Sequence, residues 1–131
     1  MNVVLKKNLS LRETGIVIQP NLCWLAASPD GLIYDKELGL IEIKCPYSKR
    51  ELTPEELLED EPVKPVLKQT HSFGYYTQIQ MAMGLCGLNF CDFIVYTFIV
   101  SRTISHEEFF ERIVPRLNLF YKDYMLPNIK V

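Results

Sequence analysis

Apolar positions along this chain follow two periods, and the places where the period changes mark out its elements. Short runs of alternating or continuous apolar residues, bounded by glycine, proline or polar clusters, read as strands. They fall at Gly15 to Gln19, at Cys23 to Tyr34, at Gly39 to Cys45 and at Cys91 to Val100. The second is bent at Ser28-Pro29, because proline cannot donate to a ladder, and the third is closed by Pro46. The fourth is long and apolar enough to be a central strand buried on both faces. Helical signals lie between and after these runs. Thr53-Pro54-Glu55-Glu56 combines a threonine cap, a proline at the first position and a glutamate three residues after the cap, and opens a short helix. Pro62 to Pro65 form a stiff connector, and the longest helix then spans about Thr70 to Cys86, with Gly87 placed to end it. Ser105-His106-Glu107-Glu108 repeats the capping-box pattern and opens a last amphipathic helix ending near Tyr124. Three strands, helix, strand, helix is the order of an α/β domain with a mixed central sheet.

Candidate chemistry sits at the second and third strands. Leu32-Ile33-Tyr34 and Leu38-Gly39-Leu40-Ile41 are joined by Asp35-Lys36-Glu37, a polar loop of hairpin length. Folding about Lys36 sets Tyr34 opposite Leu38, Leu32 opposite Leu40, and Asp30 opposite Glu42. Directly opposed residues have Cβ atoms roughly 4.5–5.5 Å apart, so both carboxylates reach one ion. Side chains alternate along a strand, which puts Glu42 and Lys44 on one face. Opposed carboxylates repel unless something positive lies between them. A hard divalent cation with oxygen ligands, beside the Lys44 ammonium, resolves the conflict. Such a cation polarises a phosphate oxygen and lowers the pKa of a bound water, while a fixed lysine charge stabilises transition-state oxygens. This is the equipment of metal-assisted phosphodiester cleavage. The plainer reading makes Pro29-Asp30-Gly31 a turn and Glu42 with Lys44 an exposed edge. The shared register beside strongly apolar neighbours favours the metal site.

On the long helix, Gln78 and Gln80 are about 200° apart, so one at most faces that site. Gln78 shares a face with Tyr75 and His71, next to an apolar stripe of Tyr76, Ile79 and Met83 that buries against the sheet. Gln78 therefore suits either the margin of the metal site or an exposed position on the helix surface, and His71 reads as a cap or surface residue. Lys68, Tyr75 and Lys49 are the candidate nucleic-acid contacts, and Trp24 is a core anchor.

Composition narrows the class. With 131 residues, 48% hydrophobic and 23% charged, the chain makes one globular domain with a substantial core. No apolar run approaches the roughly 20 residues that span a bilayer. The amino-terminal residues lack the pattern of a signal peptide, which favours an intracellular protein without membrane attachment. A net charge of −2 gives no global basic field. Nucleic-acid contact must then come from local clusters, Lys44 with Lys49 and Arg50, or Lys64 with Lys68. The acidic run from Glu55 to Glu61 is a solvated helix face. Cys23, Cys45, Cys86 and Cys91 show no metal-ligand spacing and read as reduced core thiols.

Pro20, the segment Trp24 to Gly31, the segment Gly39 to Pro46, and Tyr75-Tyr76-Thr77-Gln78-Ile79-Gln80 together resemble the YqaJ-like viral recombinase family. That family includes the phage lambda exonuclease and belongs to the PD-(D/E)XK, restriction-endonuclease-like nucleases. The resemblance implies a Mg²⁺- or Mn²⁺-dependent deoxyribonuclease, often acting on duplex ends from 5′ to 3′ in recombination or repair. Asp30 and Glu42 match the metal-binding acids, Ile43 offers its carbonyl to the metal, Lys44 matches the catalytic lysine, and Gln78 matches the glutamine of the following helix. It also implies a single domain over residues 1–131 without the family's usual amino-terminal helices. Some members form rings around DNA, which allows a homo-oligomer. The alternative is a non-catalytic module that keeps the nuclease fold to bind nucleic acid or protein.

Overall fold

The hairpin that carries the acidic residues also organises the sheet. In the computed structural model, which describes residues 10–53, 56, 74–95 and 99–129, strand β4 (Gly31–Asp35) turns back on β5 (Glu37–Lys44). Lys36 alone forms the tip, in the left-handed region at φ 64°. The pairing is that expected from the pattern, with Tyr34 opposite Leu38 and Leu32 opposite Leu40, and it ends at Gly31 opposite Ile41. On its other side β5 runs parallel to β6 (Phe90–Val95), with Leu40 beside Cys91 and Lys44 beside Val95. Parallel neighbours need a crossover, and helix α1 (Tyr75–Cys86) lies within it.

The expected strand Cys91 to Val100 is two strands. The chain reverses between Val95 and Ile99, and β7 (Ile99–Ile104) returns antiparallel to β6. The apolar run hid this reversal because both arms are apolar and neither glycine nor proline marks the turn. A short exposed strand β1 (Ser10–Arg12), which the pattern did not predict, pairs with β4 at the far edge. The central sheet is thus mixed, as expected, in the order β1-β4-β5-β6-β7. The expected first strand shrinks to β2 (Val17–Ile18), paired with β3 (Ala26–Ala27) in a separate ribbon. A 3-10 turn at Pro20–Leu22 precedes the expected Cys23 to Tyr34 segment, and the bend at Asp30 breaks it, so its two halves join different sheets.

Glycines frame α1. Gly74 precedes it at φ 69°, and Gly87 ends it at φ 65° with its N–H bonded to the Met83 carbonyl. Residues 70–73 of the expected helix, with His71, and the Pro62 to Pro65 connector lie outside the described residues. Thr53 and Glu56 form the expected capping box: the Thr53 N–H donates to Glu56 Oε2 at 2.8 Å, and the Glu56 N–H to Thr53 Oγ1 at 3.3 Å. These bonds lower the Glu56 pKa. The second expected box does not form. Helix α2 (Glu107–Phe120) begins after His106 without a side-chain cap. Instead, the His106 N–H donates to Gln80 Oε1 at 2.7 Å, and Gln80 Nε2 donates to the Ile104 carbonyl at 2.9 Å. One buried glutamine thereby ties α1 to the corner between β7 and α2. Past Phe120 the helical path widens into a π turn at Tyr121–Met125 and closes in a 3-10 turn at Leu126–Asn128.

The core lies between the sheet and α1, where Leu40, Cys91, Phe93 and Val95 meet Ile79, Ala82 and Met83. Ile33, Ile41 and Phe90 form a smaller cluster on the opposite face of the sheet. Among the described residues, no helix is long and apolar enough to cross a membrane.

Candidate active site

Glu42 lies where the core reaches the carboxyl end of β5. Its neighbours in the sheet and the helix packed over it leave it only 4% exposed. A carboxylate there needs partners, and two donors converge on its Oε1: Lys44 Nζ at 2.5 Å and Gln78 Nε2 at 2.5 Å. Lys44 arrives because period-two alternation returns it to the same face. Gln78 arrives because its turn of α1 crosses above β5. Lys44 also sits 5.5 Å from the centre of the Tyr75 ring, one helical turn before Gln78, and Tyr75 in turn packs against Phe93 at 5.8 Å. The ring face attracts the ammonium and limits where Lys44 can go.

Asp30 occupies the position that the register sets opposite Glu42, one step past the last ladder pair. It is not a strand residue. The chain bends there, and Asp30 Oδ2 accepts the Ile43 N–H at 2.7 Å. That bond anchors the carboxylate to the backbone beside Glu42. Both acids act on one thiol: burial first, then Glu42, Asp92 and Asp30, push Cys91 up to about 12 from an ordinary 9.0.

Glu42, Lys44 and Gln78 are thus brought together through direct contacts, and Asp30 joins them through the backbone N–H of Ile43. Tyr75 joins them through Lys44. Lys49 contributes its backbone to a 3-10 turn at Tyr47–Lys49 just beyond β5, and Lys68 lies outside the described residues. Two carboxylates and a backbone carbonyl are hard oxygen donors, the set that a magnesium-sized ion takes while keeping several waters. Among the described residues, no group of three or more histidine, cysteine, aspartate and glutamate side chains forms a closed metal cage. The donor set therefore fits an open oxygen site and not a structural thiolate or imidazole centre.

A cavity of about 360 Å³ opens beside Glu42 and Gln78. Its walls were not legible as functional from the sequence, since alanine and methionine in a helix or short strand carry no chemical signal. Trp24 is half-buried and stacks on Tyr121 at 5.5 Å, away from the main core cluster. All four cysteines are free, but only Cys91 is fully buried, and Cys23 and Cys45 are exposed rather than core residues.

The profile of the YqaJ-like viral recombinase domain matches residues 4–89, a span that contains Asp30, Glu42, Lys44 and Gln78. No curated protein matches the chain. Among solved structures, an alkaline exonuclease from Laribacter hongkongensis superposes with a TM-score of 0.66 at 24% identity, over 88% of this chain and 57% of its own. The same exonuclease in complex with dAMP gives 0.67 at 24% identity, over 88% of this chain and 56% of its own. The chain spans little more than half the length of these structures, and the likeness establishes the shared fold.

Proposed function

This chain belongs to the YqaJ-like viral recombinase domain family, and on that premise we propose that it is a metal-dependent nuclease that hydrolyses DNA phosphodiester bonds. The observation that carries the reading is the buried Glu42 carboxylate, gripped on one oxygen by Lys44 and Gln78 and flanked by the anchored Asp30. Support also comes from the fold neighbour, an alkaline exonuclease that was also captured with dAMP.

In this proposal, Asp30, Glu42 and the Ile43 carbonyl hold Mg²⁺ or Mn²⁺. The bound ion supplies a polarised phosphate oxygen and a water of lowered pKa. The protein's own groups do the rest. Asp30 is fixed by the Ile43 N–H, so its carboxylate is oriented before substrate arrives. Gln78 holds the Glu42 rotamer from the helix side. Lys44 turns from Glu42 toward the scissile phosphate and neutralises charge on its non-bridging oxygens as water bonds to phosphorus and the bridging P–O bond breaks. Attack proceeds from duplex ends in the 5′ to 3′ direction.

Labelled linear and circular duplexes, incubated with magnesium or with a chelator, test this. Cleavage of the linear duplex alone, dependent on the ion and starting at the 5′ end, is the expected result. Absence of cleavage together with absence of metal binding by calorimetry would leave a nuclease-fold binding module in its place.

A further inference from the structure

We propose that a second cavity, between the carboxyl end of α1 and the start of α2, is a seat for one arginine side chain presented by a partner polypeptide. Its volume is about 250 Å³, and it shares no lining residue except Met83's own helix with the cavity beside Glu42. Gln78 and Cys86 stand two turns apart along α1, about 12 Å. The seat therefore lies outside the acid–lysine–glutamine site, and the inference does not depend on the nuclease reading. The floor is apolar, formed by Met83, Leu88 and Phe110, while the exposed Glu107 and Glu111 stand at the rim. These two carboxylates are one turn apart on α2, where like charges repel. Among the described residues, neither has an ion-pair partner. Gly87 also lines the cavity and marks the end of α1, where helix carbonyls gather partial negative charge. The charged features of the cavity thus all favour a cation.

The chain itself shows which cation suits such a set. Arg102 is held by two carboxylates, Asp92 at 2.6 and 2.8 Å and Asp35 at 2.9 Å, with its guanidinium 4.1 Å from the centre of the Phe90 ring. Glu107, Glu111 and Phe110 offer the same kinds of group, two carboxylates and a phenylalanine ring. A guanidinium presents five donors in a planar fork that pairs with carboxylates and stacks on aromatic faces. Its aliphatic stem suits the Met83 and Leu88 floor. Gly84 shapes the wall, since the Phe110 ring occupies the place that a Cβ there would take. A volume of about 250 Å³ falls below the roughly 300–1,000 Å³ of ligand pockets, so the occupant is of side-chain size. Free arginine would bring its own carboxylate to an acidic rim, whereas an arginine within a peptide does not. The arginine of a polypeptide is the better complement.

The test uses the full chain labelled with ¹³C at methionine and leucine methyls. It is titrated with acetyl-Ala-Arg-Ala-amide, with its lysine and norleucine counterparts, and with free arginine. The Met83 and Leu88 methyl signals are expected to move with the arginine peptide. The lysine peptide should bind several-fold more weakly, and the norleucine peptide about tenfold more weakly or less still. Glu107→Gln combined with Glu111→Gln is expected to weaken the arginine peptide about tenfold. Glu108→Gln removes a first-turn carboxylate that does not line the cavity, and should leave that affinity unchanged. Equal binding of the arginine and norleucine peptides would overturn the seat, as would shifts that leave Met83 and Leu88 unmoved or unaltered affinity in the folded double variant. Tighter binding of free arginine than of the peptide would overturn the polypeptide as its source.

Discussion

Glu42 carries two partners on one oxygen in a nearly dry setting, and single substitutions around it should therefore have separable effects. Removal of the Lys44 ammonium takes away charge stabilisation, so Lys44→Ala should lower cleavage by about 10²-fold or more while calorimetric metal affinity persists. Gln78→Ala frees the Glu42 side chain without removing an acid. Its cleavage defect should be smaller than that of Lys44→Ala in the same assay. Cys91 offers a test that does not depend on activity. Burial leads the causes that push its thiol up to about 12 from 9.0. It should resist alkylation at neutral pH, while exposed Cys23 and Cys45 react, as mass spectrometry of partial labelling will show. The folded thiol keeps its proton above the pH at which the unfolded thiol releases it. Its contribution to stability is therefore complete below pH 9 and declines as pH rises toward 12. Chemical unfolding on either side of pH 9, with Cys91→Ala as the comparison, measures this contribution.

Elements meet here through small contacts that the one-dimensional pattern does not encode. Phe110 of α2 lies against Gly84 of α1 so closely that a Cβ at Gly84 would fall inside the ring's van der Waals envelope. Gly84→Ala should cost about 1–3 kcal/mol by overpacking, read as a lowered Tm. Gln80 has two backbone partners, and Gln80→Leu would leave the Ile104 carbonyl and the His106 N–H without them. Each unpaired group costs about 1–3 kcal/mol, so this variant should be among the least stable in a urea series. The helix start at Thr53 was legible because its cap is local, within three residues. Its repeat at Ser105 misled for the complementary reason: the Ser105 N–H, which Glu108 would have capped, is taken by the distant Asn89 carbonyl at 2.8 Å.

Across the whole molecule, charge is segregated by the sheet. One face carries the core and the acid–lysine–glutamine site. The other carries Arg102, bound at 2.6 and 2.8 Å to Asp92 and at 2.9 Å to Asp35, with its guanidinium 4.1 Å from the Phe90 ring centre. Asp92 first, and Asp35 after it, raise the Arg102 pKa. Arg102→Ala would strand the buried Asp92, and the expected destabilisation is about 2 kcal/mol, reduced from that of a fully buried pair because Arg102 is partly exposed. The β4–β5 register, the hairpin tip at Lys36, the helix end at Gly87 and the shared face of Glu42 and Lys44 all follow from neighbours a few positions apart, and local order along the chain was enough to specify them. The reversal between Val95 and Ile99, the placement of Gln78 over Glu42, the Asp92–Arg102 pair and the alanine-walled cavity were decided only in the folded chain. Each joins segments far apart in sequence, and packing, unlike periodicity, has no signature until those segments meet.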